Sequence, residues 1–262
     1  MTDAGRGAAL EAIAAEVRVC TRCRLHETRT RAVPGEGSPA TEVVFVGEGP
    51  GEQEDRQGRP FVGASGQLLG ELIGSLGWRR DDVFITNVVK CRPPGNRDPR
   101  PDEMAACAPY LRRQLEVLDP AVVATVGKHS LETFRPGDRI GRTHGTATPA
   151  DPATGARDAL VFAMYHPAFA LYQRSNRETL FADITALPAT LVAARRRRAG
   201  SAAAAAAPAV PAPAVDTDPP SDEDPRRATP PVAPAAMMPA VHVGPPRNVL
   251  SADPETDQLT LF

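Results

Sequence analysis

The chain has little of what marks secreted, membrane-spanning or disulfide-stapled proteins. Among 262 residues there are one Trp, three Tyr and four Cys. No stretch is apolar for long enough to span a bilayer, and the opening MTDAGRGAALEAIAAEVRVC lacks the apolar core of a secretory leader. We therefore expect a cytoplasmic protein with no membrane partner, in a compartment that keeps ordinary thiols reduced. Four cysteines there suit metal ligation or a core position better than disulfides.

Residues after the run Arg195, Arg196, Arg197, Arg198 are short of nearly everything a core requires. That segment holds 13 of the 28 prolines and no Cys, Trp or Tyr. It cannot bury enough apolar surface to offset its ordering entropy. The expected organisation is one domain over residues 1–197 and a disordered Pro/Ala-rich tail over 198–262. The domain is large enough for a substantial core. The net charge of −2 hides an asymmetry: from Ala199 onward there are three basic and eight acidic residues, leaving the body mildly basic. That balance is compatible with nucleic-acid binding and does not by itself establish it.

Within the body, β-branched runs alternate with helical patterns. EVVFVG (Glu42 to Gly47), VFITNVV (Val83 to Val89), AVVATVG (Ala121 to Gly127) and LVFAMYH (Leu160 to His166) read as strands. Helices are expected from about Ser65 through QLLGELIGSLG, from Pro101 through DEMAACAPYLRRQLEVL, over KHSLETF, and from about Asn176 to Ala194. This order predicts an α/β fold of three layers, α/β/α, around a central four-stranded parallel sheet. Ligands of such sheets bind beyond the carboxyl ends of the strands. Gly47-Glu48-Gly49-Pro50-Gly51, Asn87, Lys128-His129 and Tyr165-His166-Pro167 all fall there, so four loops are expected to converge on one rim.

The residue types on that rim suit a flat, polar ligand. Three glycines and a proline within five residues let the backbone approach closely. Glu48, Glu54 and Asp55 supply carboxylates, and Phe61 can stack on a planar ring. The cysteines are spaced Cys20-x2-Cys23-x67-Cys91-x15-Cys107. Gathered into one tetrahedral thiolate site, they suit either zinc or a [4Fe–4S] cluster.

GEGPGEQEDRQGRPFVGASGQLL (residues 47–69) resembles the first motif of the thermophile-type, family 4 uracil-DNA glycosylases. ITNVVKCRPPGNRDPRPDE (Ile85 to Glu103) and YHPAFAL (Tyr165 to Leu171) resemble that family's later motifs, and the likeness runs from about Cys20 to Leu187. The resemblance implies a uracil-DNA glycosylase-like fold and hydrolysis of the N-glycosidic bond of deoxyuridine after base flipping, leaving an abasic site. It implies that Asn87 reads the uracil edge, Phe61 stacks on the ring, Gly49 and Gly51 line the pocket, and His166 stabilises charge developing at O2. It also implies that Cys20, Cys23, Cys91 and Cys107 hold a structural [4Fe–4S] cluster. Phe169 or Leu171 would wedge into the minor groove, with Arg174 and Arg177 on phosphates.

One feature departs from the better-known uracil glycosylases, which place Asp after the Gly-Gln pair of this loop. Gly49 stands there in this chain. Either Glu48 or Glu54 substitutes as the water-orienting carboxylate, with Asp55 a weaker choice, or the cation-like transition state needs no base.

The last residues, Gln258-Leu259-Thr260-Leu261-Phe262, resemble the pentapeptide by which repair proteins bind the bacterial sliding clamp. Gln258, Leu259, Leu261 and Phe262 would make the contacts, on a tether that raises the local concentration of the enzyme at DNA. The expected partners are uracil-containing DNA and the clamp, for a monomer associated with the nucleoid during repair. Two alternatives stand beside this reading. One is an iron–sulfur nucleic-acid-binding or electron-carrying protein without glycosylase activity. The other is a superfamily glycosylase that takes a broader set of deaminated bases. CRPPGNRDPRP contains no histidine, which argues against the covalently trapping branch, while Lys90 keeps a Schiff-base lyase in play.

Overall fold

The computed structural model describes residues 1–206. The clamp-like peptide at residues 258–262 lies outside the described residues. Six strands form one sheet: β1 (Glu36–Gly37), β2 (Val43–Gly47), β3 (Phe84–Asn87), β4 (Val122–Val126), β5 (Ala147–Pro149) and β6 (Leu160–Met164). Their order is β1-β3-β2-β4-β6-β5. The inner four are mutually parallel, as the alternating pattern predicts. The outer two are short antiparallel edges absent from the sequence expectation. EG and ATP carry no strand pattern; only their neighbours β3 and β6 recruit them.

Among the described residues eight α-helices surround the sheet: α1 (Asp3–Arg18), α2 (Glu52–Gln57), α3 (Ala64–Ser75), α4 (Pro101–Leu118), α5 (Lys128–Phe134), α6 (Ile140–Thr143), α7 (Arg174–Ile184) and α8 (Leu187–Ala206). The inner strands are buried on both faces, and alternate residues feed two separate cores. Val44, Val46, Val123 and Val161 meet Leu10, Ile13 and Val17 of α1 and Tyr110, Leu111 and Leu115 of α4. Val43, Phe45, Ala124 and Phe162 meet Leu69, Leu72 and Ile73 of α3 and Leu180, Ile184 and Leu187 from α7 and α8. These are the three expected layers.

Two helix expectations needed revision. The helix foreseen from about Asn176 to Ala194 is two helices, broken at Thr185–Ala186. Pro188 explains the break, because proline lacks an N–H and belongs in a first helical turn. The domain edge expected at 197 falls inside α8, which continues to Ala206. Alanine is the best helix former, so AGSAAAAA extends a helix that packing has already nucleated. Among the described residues no helix is long and apolar enough to cross a membrane.

The chain leaves β2 for β3 on one side and reaches β4 on the other, so the loops after β2 and β4 diverge. Crevices of this kind open beyond the carboxyl ends of the strands. The rim residues named above stand around this one.

Candidate active site

The loop after β2 is folded by its own carboxylates. Glu54 accepts from the Gly51 N–H (3.1 Å) through one oxygen and from the Val62 and Gly63 N–H groups (2.8 Å each) through the other. Asp55, buried at 4% exposure, accepts from the Thr30 N–H (2.9 Å) and ties the preceding segment to α2. Both acids are thus loop clamps, and three N–H groups already occupy Glu54. The clamp holds Phe61 in the left-handed region (φ +50°), a conformation that costs a residue of this size of order 1–3 kcal/mol.

Phe61, Asn87 and Gly47 come together at the carboxyl ends of β2 and β3, whose last residues are in register, Gly47 beside Asn87. A Cβ on Gly47 would collide with both the Asn87 Oδ1 and the Phe61 ring. Only glycine lets the aromatic face and the amide meet. Asn87 is 1% exposed, and its Oδ1 has no hydrogen-bond partner. Leaving a buried acceptor unpaired costs about 1–3 kcal/mol, so this atom is held ready for a donor that none of the described residues supplies.

His166 faces the same space, its ring centroid 5.8 Å from that of Phe61. It precedes Pro167 in extended backbone (φ −67°, ψ 135°), as the residue before a proline prefers. The Ala168 N–H donates to His166 Nδ1 (3.2 Å). That bond makes Nδ1 an acceptor and puts the proton of the neutral ring on Nε2. Burial lowers the His166 pKa, opposed by the Glu48 and Glu54 carboxylates. The result is a neutral imidazole with an Nε2–H to donate.

Glu48 completes the rim. Its Oε1 accepts from the His129 N–H at the start of α5 (3.0 Å), and Oε2 has no protein partner among the described residues. Gly127, at φ +101°, gives Glu48 room, since a Cβ there would lie 2.5 Å from Oε1. Asp98 Oδ2 lies 2.9 Å from His129 Nε2, off the line of a hydrogen bond. The pairing of His129 with Glu48 could not be read from the sequence, because 81 residues separate them.

Of the expected DNA-contacting residues, Phe169 is 47% exposed and stacks on Tyr165, with centroids 4.6 Å apart. Leu171 is only half-buried and packs against the core beneath α3 and α7. Arg174 and Arg177 are exposed on α7 and paired with Glu178 and Glu71. Tyr172, 87% exposed, is the most open aromatic described, and sequence reading passed over it. Its signal was an aromatic set among polar residues, YQRSNR.

The cysteines gather away from the rim. Cys20 and Cys23 follow α1, Cys107 sits on α4, and Cys91 lies four residues after Asn87; all four line one pocket with Arg29 and Tyr110. All are free thiols. The Arg29 guanidinium donates to Cys91 Sγ (3.0 Å) and the Lys90 N–H to Cys107 Sγ (3.3 Å). Burial pushes the Cys23 and Cys91 thiols up, and Cys107 to about 11, so thiolates here need a metal to hold them. Four thiols lining one pocket suit a thiolate-bound metal centre, either zinc or an iron–sulfur cluster.

Lys90 is 1% exposed, and its Nζ is taken up by three oxygens: Thr86 Oγ1, Gln114 Oε1 and the Asn87 carbonyl. Burial lowers its pKa to about 7, against the opposing pull of Cys107. So enclosed, it cannot reach a sugar aldehyde, and the lyase reading loses its lysine.

Fold and rim together define a class of protein. The family model described as the Uracil DNA glycosylase superfamily matches residues 34–186, more than half of the chain. The chain is 45% identical over 193 residues to the Type-4 uracil-DNA glycosylase of Sulfurisphaera tokodaii, covering 71% of this chain and 87% of that one. It is 46% identical over 177 residues to the Type-4 uracil-DNA glycosylase of Thermotoga maritima, covering 67% and 91%. Similarity to the Type-5 uracil-DNA glycosylase of Pyrobaculum aerophilum is lower, 33% over 153 residues. The chain belongs to the type-4 uracil-DNA glycosylases of this superfamily.

Proposed function

We propose that this protein excises uracil from DNA by hydrolysing the N-glycosidic bond of a flipped deoxyuridine. The observation that carries the reading is the buried, unpartnered Asn87 Oδ1 beside the Phe61 ring. An acceptor held there matches the N3–H of uracil. Cytosine offers an acceptor at that position and would leave two acceptors facing each other. Flipping costs roughly a few kcal/mol, offset by stacking on Phe61 and by this pairing. Gly49 and Gly51 form the wall of the pocket.

Cleavage leaves negative charge on the departing base, largely at O2. A neutral His166 donating from Nε2 stabilises that charge as it grows and keeps its own proton. Glu48 is the better water-orienting carboxylate, because one of its oxygens is free while Glu54 and Asp55 are occupied by backbone N–H groups. The water oxygen bonds to the sugar carbon as that carbon's bond to uracil N1 breaks. The water proton passes to Glu48 and on to solvent, and uracil departs as its N1 anion, which takes a proton from solvent, leaving an abasic site.

Cys20, Cys23, Cys91 and Cys107 would hold a [4Fe–4S] cluster. Bound there, it supplies a structural clamp between α1, the loop after β3 and α4, since hydrolysis moves no electrons. Tyr172, the most exposed aromatic of the segment that follows His166, suits insertion beside the flipped base, with Phe169 stacked on Tyr165 behind it and Arg174 and Arg177 towards phosphates. Gln258, Leu259, Leu261 and Phe262 remain our candidates for contact with the bacterial sliding clamp. On this reading the enzyme is a cytoplasmic monomer that works at the nucleoid.

The test is a fluorescent oligonucleotide with one deoxyuridine, incubated with protein and treated with alkali. Cleavage at uracil, absent from an undamaged strand and reduced by Asn87→Ala and His166→Ala, is the expected result. No cleavage by protein that keeps its cluster colour would overturn the reading and favour a binding or electron-carrying role.

A further inference from the structure

Among the described residues three charged side chains are buried: Asp55 accepts from backbone N–H groups, Glu103 pairs with Arg97, and Lys90 has no opposite charge beside it. No carboxylate reaches it among the described residues. Its Nζ donates to Thr86 Oγ1 (2.5 Å), Gln114 Oε1 (2.7 Å) and the Asn87 carbonyl (2.8 Å). Thr86 and Gln114 are themselves anchored on the Pro34 carbonyl, at 2.9 and 2.8 Å. Burying an ammonium among neutral oxygens is costly. A methionine of similar length would fill the same space without that cost, so the charge calls for a reason.

The reason lies in what the third bond holds. The peptide plane between Asn87 and Val88 is gripped from both ends: Lys90 Nζ takes the Asn87 carbonyl, and the Val88 N–H donates to the Gly47 carbonyl (2.9 Å). The Asn87 side chain leaves the backbone at the edge of that plane, and its Oδ1 makes no bond that would aim it. The direction of the amide is therefore set by the backbone. Lys90 also reaches the other way, its N–H donating to Cys107 Sγ (3.3 Å).

We infer that Lys90 is a positioning residue: its ammonium fixes the Asn87 carbonyl so that the base-reading amide keeps its aim, and its own N–H ties that aim to the cysteine site. The inference rests on the functional reading above, since it gives Lys90 charge of a residue that reads uracil. It also gives the cysteine site a role in recognition, because the loop carrying Cys91 and Lys90 continues directly from Asn87.

The experiment uses the full, cluster-loaded chain with Lys90→Met. Four quantities are read: visible absorption per protein, thermal midpoint, single-turnover excision and KM on a deoxyuridine duplex, and inhibition by free uracil. We expect absorption and KM to stay near wild type. Single-turnover excision should fall by about 30-fold or more, and uracil inhibition should weaken by about tenfold, the signature of lost interaction with the base alone. A lysine that only supports the fold would lower the midpoint and leave both values unchanged in the folded fraction, which would overturn the inference. Loss of the visible absorption would overturn it too, by placing Lys90 with the cysteine site alone.

Should Lys90→Met not fold, Thr86→Val removes the shortest bond to Nζ while keeping the shape. It should lower excision and uracil inhibition together, by a smaller factor; no change in either overturns the inference. Wild-type protein inactive on deoxyuridine would instead refute the functional reading, so the two failures are distinguishable.

Discussion

The two ends of the sheet are built on opposite terms. At the carboxyl ends a buried acceptor goes unpaired, a phenylalanine sits in left-handed backbone and a half-buried histidine has its pKa lowered by desolvation. At the amino ends the carboxylates are paired, and the unpartnered Arg198 Nε belongs to a guanidinium whose other two nitrogens are hydrogen-bonded. Glu42, just before β2, pairs with Arg195 of α8. Asp119, just before β4, accepts from Arg198 through its side chain (3.1 Å) and its carbonyl (3.0 Å). Asp119 is also left-handed (φ +47°), but it ends α4, where that conformation is a common helix stop and Asp tolerates it well. Phe61 has no such local excuse. At the carboxyl end the unpaired acceptor and the strained backbone fall on neighbouring residues that face one space, and that coincidence marks the end where a ligand enters.

The largest expected effects separate two carboxylates of that end. Glu48→Gln should leave the fold intact and lower the excision rate by about 100-fold or more, as for a lost general base. Glu54→Gln should do the reverse. It turns an amide N–H towards the Gly51 N–H, costing about 1–3 kcal/mol of stability in thermal melts, with a smaller effect on rate. Equal losses of rate at constant stability would break the distinction between clamp and catalyst.

Next in size is pH dependence. The folded His166 pKa is below its usual 6.5, so the unfolded chain binds the extra proton first as pH falls. Between 6.5 and the folded pKa, stability declines with falling pH; above 6.5 this contribution is constant. Excision that relies on the neutral ring should likewise hold through pH 6.5 and fail only below it. A rate that begins to fall above 6.5 in a pH profile would mean that the ring is not kept neutral.

How much of this the sequence disclosed depends on the range over which each feature is determined. The four inner strands and the rim follow from local runs such as VVATV, whose burial on both faces needs no partner to be read. Asn87, His166 and the cysteines stand out in the sequence because the motifs carry them. What was hidden depends on residues far apart in the chain: the grip of His129 on Glu48, the Lys90 network spanning Pro34 to Gln114, and the edge strands recruited by their neighbours. The occupation of Glu54 was also hidden, because its partners are N–H groups and side-chain patterns do not show them.

The pocket mouth gives a moderate effect. Phe169 is held by its stack on Tyr165, and Leu171 packs inward, so Tyr172 is the aromatic free to enter a duplex. Tyr172→Ala should lower excision from duplex about tenfold and leave single-stranded substrate nearly unchanged, because only a duplex has a gap to fill. Equal losses on both substrates would assign Tyr172 to the base pocket.

The smallest effects should come from the opposite end, and their smallness is what the comparison claims. Arg195 and Glu42 are each about half exposed, 55% and 45%. An ion pair that open gains little Coulomb energy, is screened by salt and spends side-chain entropy, so it contributes about 0–1 kcal/mol. Arg195→Ala should therefore lower the thermal midpoint by only about 2–4 °C or less, and raised salt should shrink that shift. Excision should be unchanged, because β2 runs its full length between this pair and the rim. If Arg195→Ala instead slowed excision while leaving the midpoint alone, the strap of α8 would be acting on the pocket through β2. The two ends of the sheet would then be one coupled device.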